Sequence, residues 1–390
     1  MASYISSNAN RFYAALESAY GKVDPITAAN RIPAVKLGIQ QKVDAGTRRD
    51  KTGSRTFAGL PAGIRRRTDF QLQTYLTSWD KSAGAPAYGP LFEAALGGAP
   101  QRFTGGTVSA STAEGRLAFG APHGLSAGQA VSSDGEIRFV TAIVDAQTVQ
   151  LNAPFLSIPA AGATIGTTVT YAPATELKSV GIFDYWSPAT TVHRLLHGAG
   201  VDQMEILING DYHEFHFSGV AKDVLDSSSF EVGAGELSSF PAEPALDTFD
   251  YSVVPGHMGQ AWLGASPTQF STITSATIML KNALETRNRE FGESTSMGIS
   301  PGQRAVTAAF ELYGMDDNAT KELYQAARQQ SPISVMFQLG EVAGRVMGVY
   351  LKSVLPEVPE FDDGQNRLQW KFRASRAQGT LDDEITVAFA

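Results

Sequence analysis

The sequence contains no cysteine. That excludes disulfide frameworks, zinc–thiolate sites and cysteine nucleophiles. Charge is also sparse: Asp, Glu, Lys and Arg make up 18% of the 390 residues, against about 25% in ordinary globular chains. The balance is acidic, at −8 net. A general nucleic-acid binder gains affinity by releasing counterions from phosphates, so stable DNA or RNA binding is disfavoured. No run approaches the ~20 apolar residues of a membrane span. The N-terminal MASYISSNANRFYAALESAYG has no basic stretch leading into an apolar one, so no secretory signal is read there and synthesis as a soluble protein in a cytosol is expected.

What is present is β-forming and turn-rich. Hydrophobic residues reach 43% and aromatics 9%, enough to fill a core. The 38 glycines, with abundant Ser, Thr and Ala, suit a β protein with broad protein–protein contacts. The length fits about two to three domains.

Internal repeats decide the fold reading before any motif does. Residues 47–72 and 287–312 align without a gap, placing Arg49 on Arg289, Ser54 on Ser294, Pro61 on Pro301, Phe70 on Phe310 and Leu72 on Leu312. Both copies run from a polar strand end through a small-residue loop and a Pro into an alternating strand. The likeness extends. Residues 91–98 match 323–330 as a helix, and the hairpin EILINGDYHEFHFSG (205–219) matches EFDDGQNRLQWKFRA (360–374), with Phe215 on Trp370 and Phe217 on Phe372. The NGD turn in the first hairpin is a strong short-range hairpin signal. Between helix and hairpin, only the first copy carries residues 100–176, whose short strands and Gly-rich turns read as a small inserted β domain. The expected organisation is a first β domain over 1–99 and 177–220, the insertion at 100–176, an extended linker or arm over 221–271, and a second β domain over 272–390. The expected class is mainly β: two tandem sandwich or barrel domains, each with a flanking helix, plus the insertion.

No catalytic constellation emerges. His193 and His197 stand four apart, a metal spacing on a helix, but TTVHRLLHG reads as a strand end and no zincin Glu accompanies them. His213 and His216 are three apart on a strand, so they point to opposite faces. Asp362-Asp363-Gly364 begins like a calcium loop yet lacks its spaced oxygen ligands and terminal Glu, and reads as a turn. Arg65-Arg66-Arg67 reads as a subunit contact or a solvated strand end. No nucleotide loop, nucleophile elbow or paired-carboxylate helix appears, and no cofactor or metal is expected.

The N-terminal YISSNANRFYAALESAYG…RIPAVKL, the strand–long loop–strand unit and the C-terminal VPEFDDGQNRLQWKFRASRAQG…DDEITVAFA resemble tail tube (major tail) proteins of long-tailed bacteriophages. The resemblance covers roughly 1–98, 177–220 and 270–390. It implies β-sandwich or small-barrel domains arranged six to a ring, with rings stacked into a tube through which DNA is ejected. A duplicated chain departs from the single-domain pattern, so three copies would form a pseudo-hexameric ring. The implied location is the virion tail, assembled in the host cytoplasm. The implied partners are further copies of the chain, a tail terminator, distal tail or baseplate proteins, a tape measure protein inside the tube, and DNA in non-sticking passage. The loops would then join successive rings through Arg49, Lys51, Ser54, Arg55 and Phe57, and through Arg289, Glu290, Glu293, Ser294 and Met297. An acidic lumen would repel DNA phosphates, with Asp44, Asp69 and Glu285 as candidate lining residues. The insertion would project outward. Two other classes stay open: a baseplate hub or distal tail component that caps a tube, and a β-rich carbohydrate-binding or hydrolytic protein.

Overall fold

The computed structural model describes residues 4–45, 51, 53–55, 64–79, 84–245 and 251–390. The first stretch holds strands β1 (Asn10–Leu16), β2 (Arg31–Ile32), β3 (Ala34–Ala45) and β4 (Ile64–Tyr75), helix α1 (Gly89–Leu96), and β5 (Gln101–Phe103). The middle stretch holds β6 (Gly106–Ser111), β7 (Arg116–Phe119), β8 (Ala130–Ser133), β9 (Glu136–Ile143), β10 (Thr148–Leu151), β11 (Thr164–Ile165) and β12 (Thr168–Tyr171). The chain then forms β13 (Val180–Trp186), β14 (Arg194–Ile208), β15 (Glu214–Ala221) and β16 (Asp223–Asp226). Next come β17 (Gly259–Gly264), β18 (Thr268–Gln269), β19 (Ile273–Lys281), β20 (Glu285–Thr286), β21 (Ile299–Ser300) and β22 (Ala305–Tyr313). Helix α2 (Asn318–Gln329) precedes β23 (Ile333–Leu339), β24 (Met347–Leu355), β25 (Glu360–Asp362), β26 (Gln369–Gln378) and β27 (Thr386–Phe389). The protein is mainly β, as its composition and alternation predict.

The first half is built around β14, a strand of 15 residues. Its N-terminal part pairs with β13 and β16, and β13 pairs onward with β1. Its C-terminal part pairs with β15, which pairs with β4, which pairs with β3. Two sheets therefore share one long strand and face each other. Alternation decides what lies between them: Phe70 and Leu72 of β4, Phe215 and Phe217 of β15, and Met204 and Ile206 of β14 are all buried. Helix α1 closes this core. Pro90 sits in its first turn, where a missing N–H costs nothing. The ring of Phe92 packs edge-on to Phe215 and Phe217 at 5.1 and 5.3 Å.

The second half repeats that plan strand for strand. β24 pairs with β23 and β27, and β23 pairs with β17. β24 and β25 together pair along β26, which pairs with β22, which pairs with β19. The register irregularities recur as well. β13 slips against β14 between Val180 and Ile182, and β23 slips against β24 between Ile333 and Val335. β3 slips against β4 between Ala34 and Lys36, and β19 slips against β22 between Ile273 and Ser275. A recurring bulge fixes register where alternation cannot.

These anchors correct the gapless alignment of 47–72 with 287–312. They place Leu72 on Phe310 and Thr74 on Leu312, two residues away from the sequence match. A two-residue slip preserves the inward–outward alternation, so the hydrophobic pattern cannot detect it. Residues 221–271 are also not simply a linker. β16 completes the first half, and β17 stands to β23 as β1 stands to β13, with Trp262 opposite Met336 as Tyr13 is opposite Phe183. β17 is a six-residue GQAWLG with a Gly at each end, too brief for periodicity to mark.

Strands β6 to β11 form a separate six-stranded sheet with its own apolar cluster, including Val108, Leu117, Val131, Val140 and Val149. β5 and β12 leave it to join the large sheet along β27. The small sheet does not stand free of the rest. Its β8–β9 hairpin packs on the second half, where the ring of Phe139 stacks on Tyr350 at 5.3 Å. Arg138, fully buried, lies 4.9 Å over the Trp262 ring. It donates to Glu136 at 2.5 Å, Gln260 at 3.0 Å and Gln338 at 3.1 Å.

Candidate assembly surface

One contact joins the two halves into a single sheet. β14, the last strand of the first half's β3-β4-β15-β14 sheet, pairs with β19, the first strand of the corresponding sheet of the second half. The resulting order is β3-β4-β15-β14-β19-β22-β26, closed at its end by β24 and β25. The ladder is sealed by Asn282, a buried side chain whose Nδ2 donates to Ala95 O at 2.8 Å and Val201 O at 3.0 Å.

The face of this sheet turned away from the core is polar and charge-compensated. Asp44 and Asp69 both lie on it, since β3–β4 pairing sets Asp44 opposite Arg65 and Asp69 opposite Gln40. Lys42 and Arg67 bond Asp69 at 2.7 and 2.9 Å. Partial burial pulls the Asp69 pKa upward, but these two cations hold it below its ordinary range. Farther across, His216 bonds Glu214 at 3.0 Å, Lys371 bonds Asp362 at 2.5 Å and Arg373 bonds Glu360 at 3.0 Å. Cations thus alternate with the carboxylates on neighbouring strands of this face. Glu285 lies in β20, past the end of β19, and helps line a groove of ≈ 960 Å³ with Lys42, Asp44, Arg65 and Arg287.

The second loop folds back on its own chain. β20 and β21 pair across its base, and Arg66 N donates to Ser294 O at 2.8 Å. Ser296 is buried, while Arg289, Glu293, Ser294 and Met297 are exposed and Glu290 is half-buried. Of the residues expected to reach an adjacent ring, Ser294 is tied to β4 through its backbone carbonyl alone, and its side chain stays exposed. The tip of the loop is Phe291, fully exposed. In the first loop, Lys51, Ser54 and Arg55 are exposed; Arg49 and Phe57 lie outside the described residues.

The remaining sequence candidates are structural. His197 is buried and its Nδ1 donates to Gly21 O at 2.8 Å, and His213 is buried with Nε2 on Met258 O at 2.9 Å. Burial lowers both pKa values. Gly364 N donates to Asp362 Oδ1 at 3.0 Å, the bond of a turn. Arg66 reaches Asp223 at 3.5 Å. Among the described residues no group of three or more His, Asp and Glu gathers as a metal site, and no helix is long and apolar enough to cross a membrane. Sequence reasoning missed the most informative feature, the two unpaired sheet edges. Among the described residues β3 pairs along its length with β4 alone, and β25 pairs with β26 alone. Exposed Val35 and Val43 mark the first edge, and exposed Val358 and Phe361 the second.

No protein-family profile matches the chain, and no curated protein matches it. Among solved structures, the SPP1 tail tube, a hybrid structure from solid-state NMR and cryo-EM, is similar to part of it. The TM-score is 0.27 at 14% identity, over 33% of this chain and 81% of that one.

Proposed function

We propose that the protein is a non-enzymatic structural component of a phage tail, arising by duplication of one β-sandwich unit and forming rings that stack into a tail tube. The observation that carries this reading is the β14–β19 junction. One half already joins the next edge to edge, in a shared strand order, leaving an unpaired edge at each end. A long unpaired edge is a liability that a soluble monomer guards against. Here β3 offers 12 residues, and continued addition of copies removes both edges. Three copies give six equivalent halves, hence a pseudo-hexameric ring.

In such a ring the polar sheet face lines the channel. Its carboxylates are matched by Lys and Arg, so DNA would meet a surface with little net field, neither attracting nor strongly repelling it. The inserted sheet, docked on the second half, lies away from that face. Tail terminator, distal tail and tape measure proteins are the partners such a tube requires.

Negative-stain microscopy of the purified protein across a concentration series tests the reading. Rings or tubes are expected. Discrete trimers that never stack would favour a component that caps the tube, and a monomer at every concentration would overturn the assembly reading.

A further inference from the structure

We infer that the 358–363 edge of one copy pairs antiparallel with β3 of the next in one defined register, with Phe361 opposite Ile39 and Glu360 opposite Gln40. This rests on the ring reading above and specifies the contact that closes it.

The register comes from the junction inside the chain. There Glu205 lies opposite Met279 and Ile206 opposite Ile278. The shared β13–β14 and β23–β24 irregularities, together with the pairing of Glu205 to His216 and of Glu360 to Lys371, place Glu360 on Glu205 and Phe361 on Ile206. The shared β3–β4 and β19–β22 irregularities place Gln40 on Met279 and Ile39 on Ile278. Transferring the internal pairing to these equivalents gives the intermolecular one.

Two further observations agree with it. Ile206 is completely buried by its neighbours, whereas its equivalent Phe361 is 52% exposed and leans on Trp370 at 5.2 Å. The register sets that exposed ring against the half-buried Ile39, apolar on apolar. Asn282 N donates to Asp202 O at 2.8 Å, so alternate residues of β14, Met204 among them, direct their backbone groups toward β19. The equivalent of Met204 is Pro359, which has no N–H. The free edge is therefore short of one donor, a guard against indiscriminate strand addition. It leaves the pairing to depend on Phe361 packing and the remaining ladder bonds.

By the same parity Glu360 and Gln40 form a non-hydrogen-bonded pair, whose Cβ atoms approach closely enough for a disulfide. The chain has no native cysteine to interfere. Two single variants, Gln40→Cys and Glu360→Cys, are purified separately, mixed, allowed to assemble and oxidised. A disulfide-linked dimer on a non-reducing gel is expected from the mixture and from neither variant alone. Lys36→Cys mixed with Glu360→Cys, four residues out of register, should lose that band. Rings by microscopy with no cross-link, or with equal cross-linking by the control, overturn this register while leaving the ring reading intact. No assembly of the wild type overturns both. As a second readout, Phe361→Asp should abolish rings while retaining the wild-type circular dichroism spectrum, and normal rings from it also overturn the register.

Discussion

The two halves of the chain use the same strand order and differ in what covers them. In the first half, the outer face of β13 and β14 presents Phe183, Tyr185 and Leu195. It is wrapped by extended chain, through Val23, Ile26, Leu237 and Phe240. Glu243 pins this wrap by accepting from Arg11 at 2.7 Å and Tyr13 at 3.0 Å. The equivalent positions in the second half are Met336, Gln338 and Tyr350, and these lie under the inserted sheet. One scaffold face thus accepts either a strap or a packed sheet, provided apolar area is covered and each buried polar group finds a partner. The helices differ in the same way. Every residue of α1 except Pro90 is buried, whereas α2 buries one stripe, Thr320, Leu323 and Ala327. The difference follows from position: α1 is enclosed by strands of both halves, including Phe389 of β27 at 5.2 Å from Phe92, and α2 lies at the open end.

Breaking the second half's cover should produce the largest effect. Arg138→Ala strips the guanidinium from a buried ion pair and leaves the Glu136 carboxylate without its counter-charge, held only by the amides of Leu156 and Ser157 at 3.0 and 2.9 Å, a change that typically costs about 3–5 kcal/mol. Urea denaturation should register it, and hydrogen exchange should lose protection first in β9 and β23 while β13 keeps it. Equal loss in β13 would mean that the two covers are not independent.

The junction between the halves comes next. Asn282→Ala leaves the carbonyls of Ala95 and Val201 without their donor, at a cost of roughly 1–3 kcal/mol. Its equivalent on the open edge is Val43, exposed on β3. Val43→Asn should change monomer stability by less than about 0.5 kcal/mol. A comparable penalty at both sites would remove the distinction between a filled and an unfilled edge.

A smaller effect separates the helices. Asp317 caps α2 by accepting from Thr320 N at 2.7 Å, and Asp317→Ala should cost about 1 kcal/mol in a thermal melt. α1 has no side-chain cap and depends on enclosure instead, so Tyr88→Ser, which introduces a good N-cap residue there, should not recover the packing lost with the ring.

The smallest effect is a pH dependence confined to the first half. Burial holds the His197 pKa below its ordinary 6.5, whereas its equivalent, Lys352, is largely exposed and bonded to Asp383 at 2.8 Å. A base whose pKa is depressed by folding binds its proton more readily in the unfolded chain. Its share of stability is therefore present above 6.5 and is lost as pH falls through that value toward the folded pKa. His213, also lowered by burial, acts in the same direction, so His197→Gln should reduce the slope of melting temperature over that range without abolishing it; an unchanged slope would assign it to other groups.

The mainly β class was legible because alternation at period two survives in β4, β15, β19 and β22, and the Asn209 turn announced its hairpin, with φ of 64° at that residue. The match of Phe215 with Trp370 and of Phe217 with Phe372 also made the recurrence legible in the sequence. Its register was not legible. A slip of two residues leaves the hydrophobic face unchanged, and only recurrent bulges distinguish Leu72 on Phe310 from Leu72 on Leu312. Arg138 was invisible for a different reason: an arginine in EIRFV reads as solvent-facing until Trp262, Gln260 and Gln338, more than a hundred residues away, surround it.

The sequence by itself therefore determined the alternation, the turns, the recurrence of a hairpin and the absence of cysteine chemistry, all properties of neighbouring residues. Only the tertiary structure decided that β14 fuses the halves into one sheet, that the inserted sheet covers the second half, and that, among the described residues, β3 and the 358–363 segment end the sheet unpaired. These depend on which strand edges meet, and edge pairing is made by backbone groups that every residue but proline carries alike.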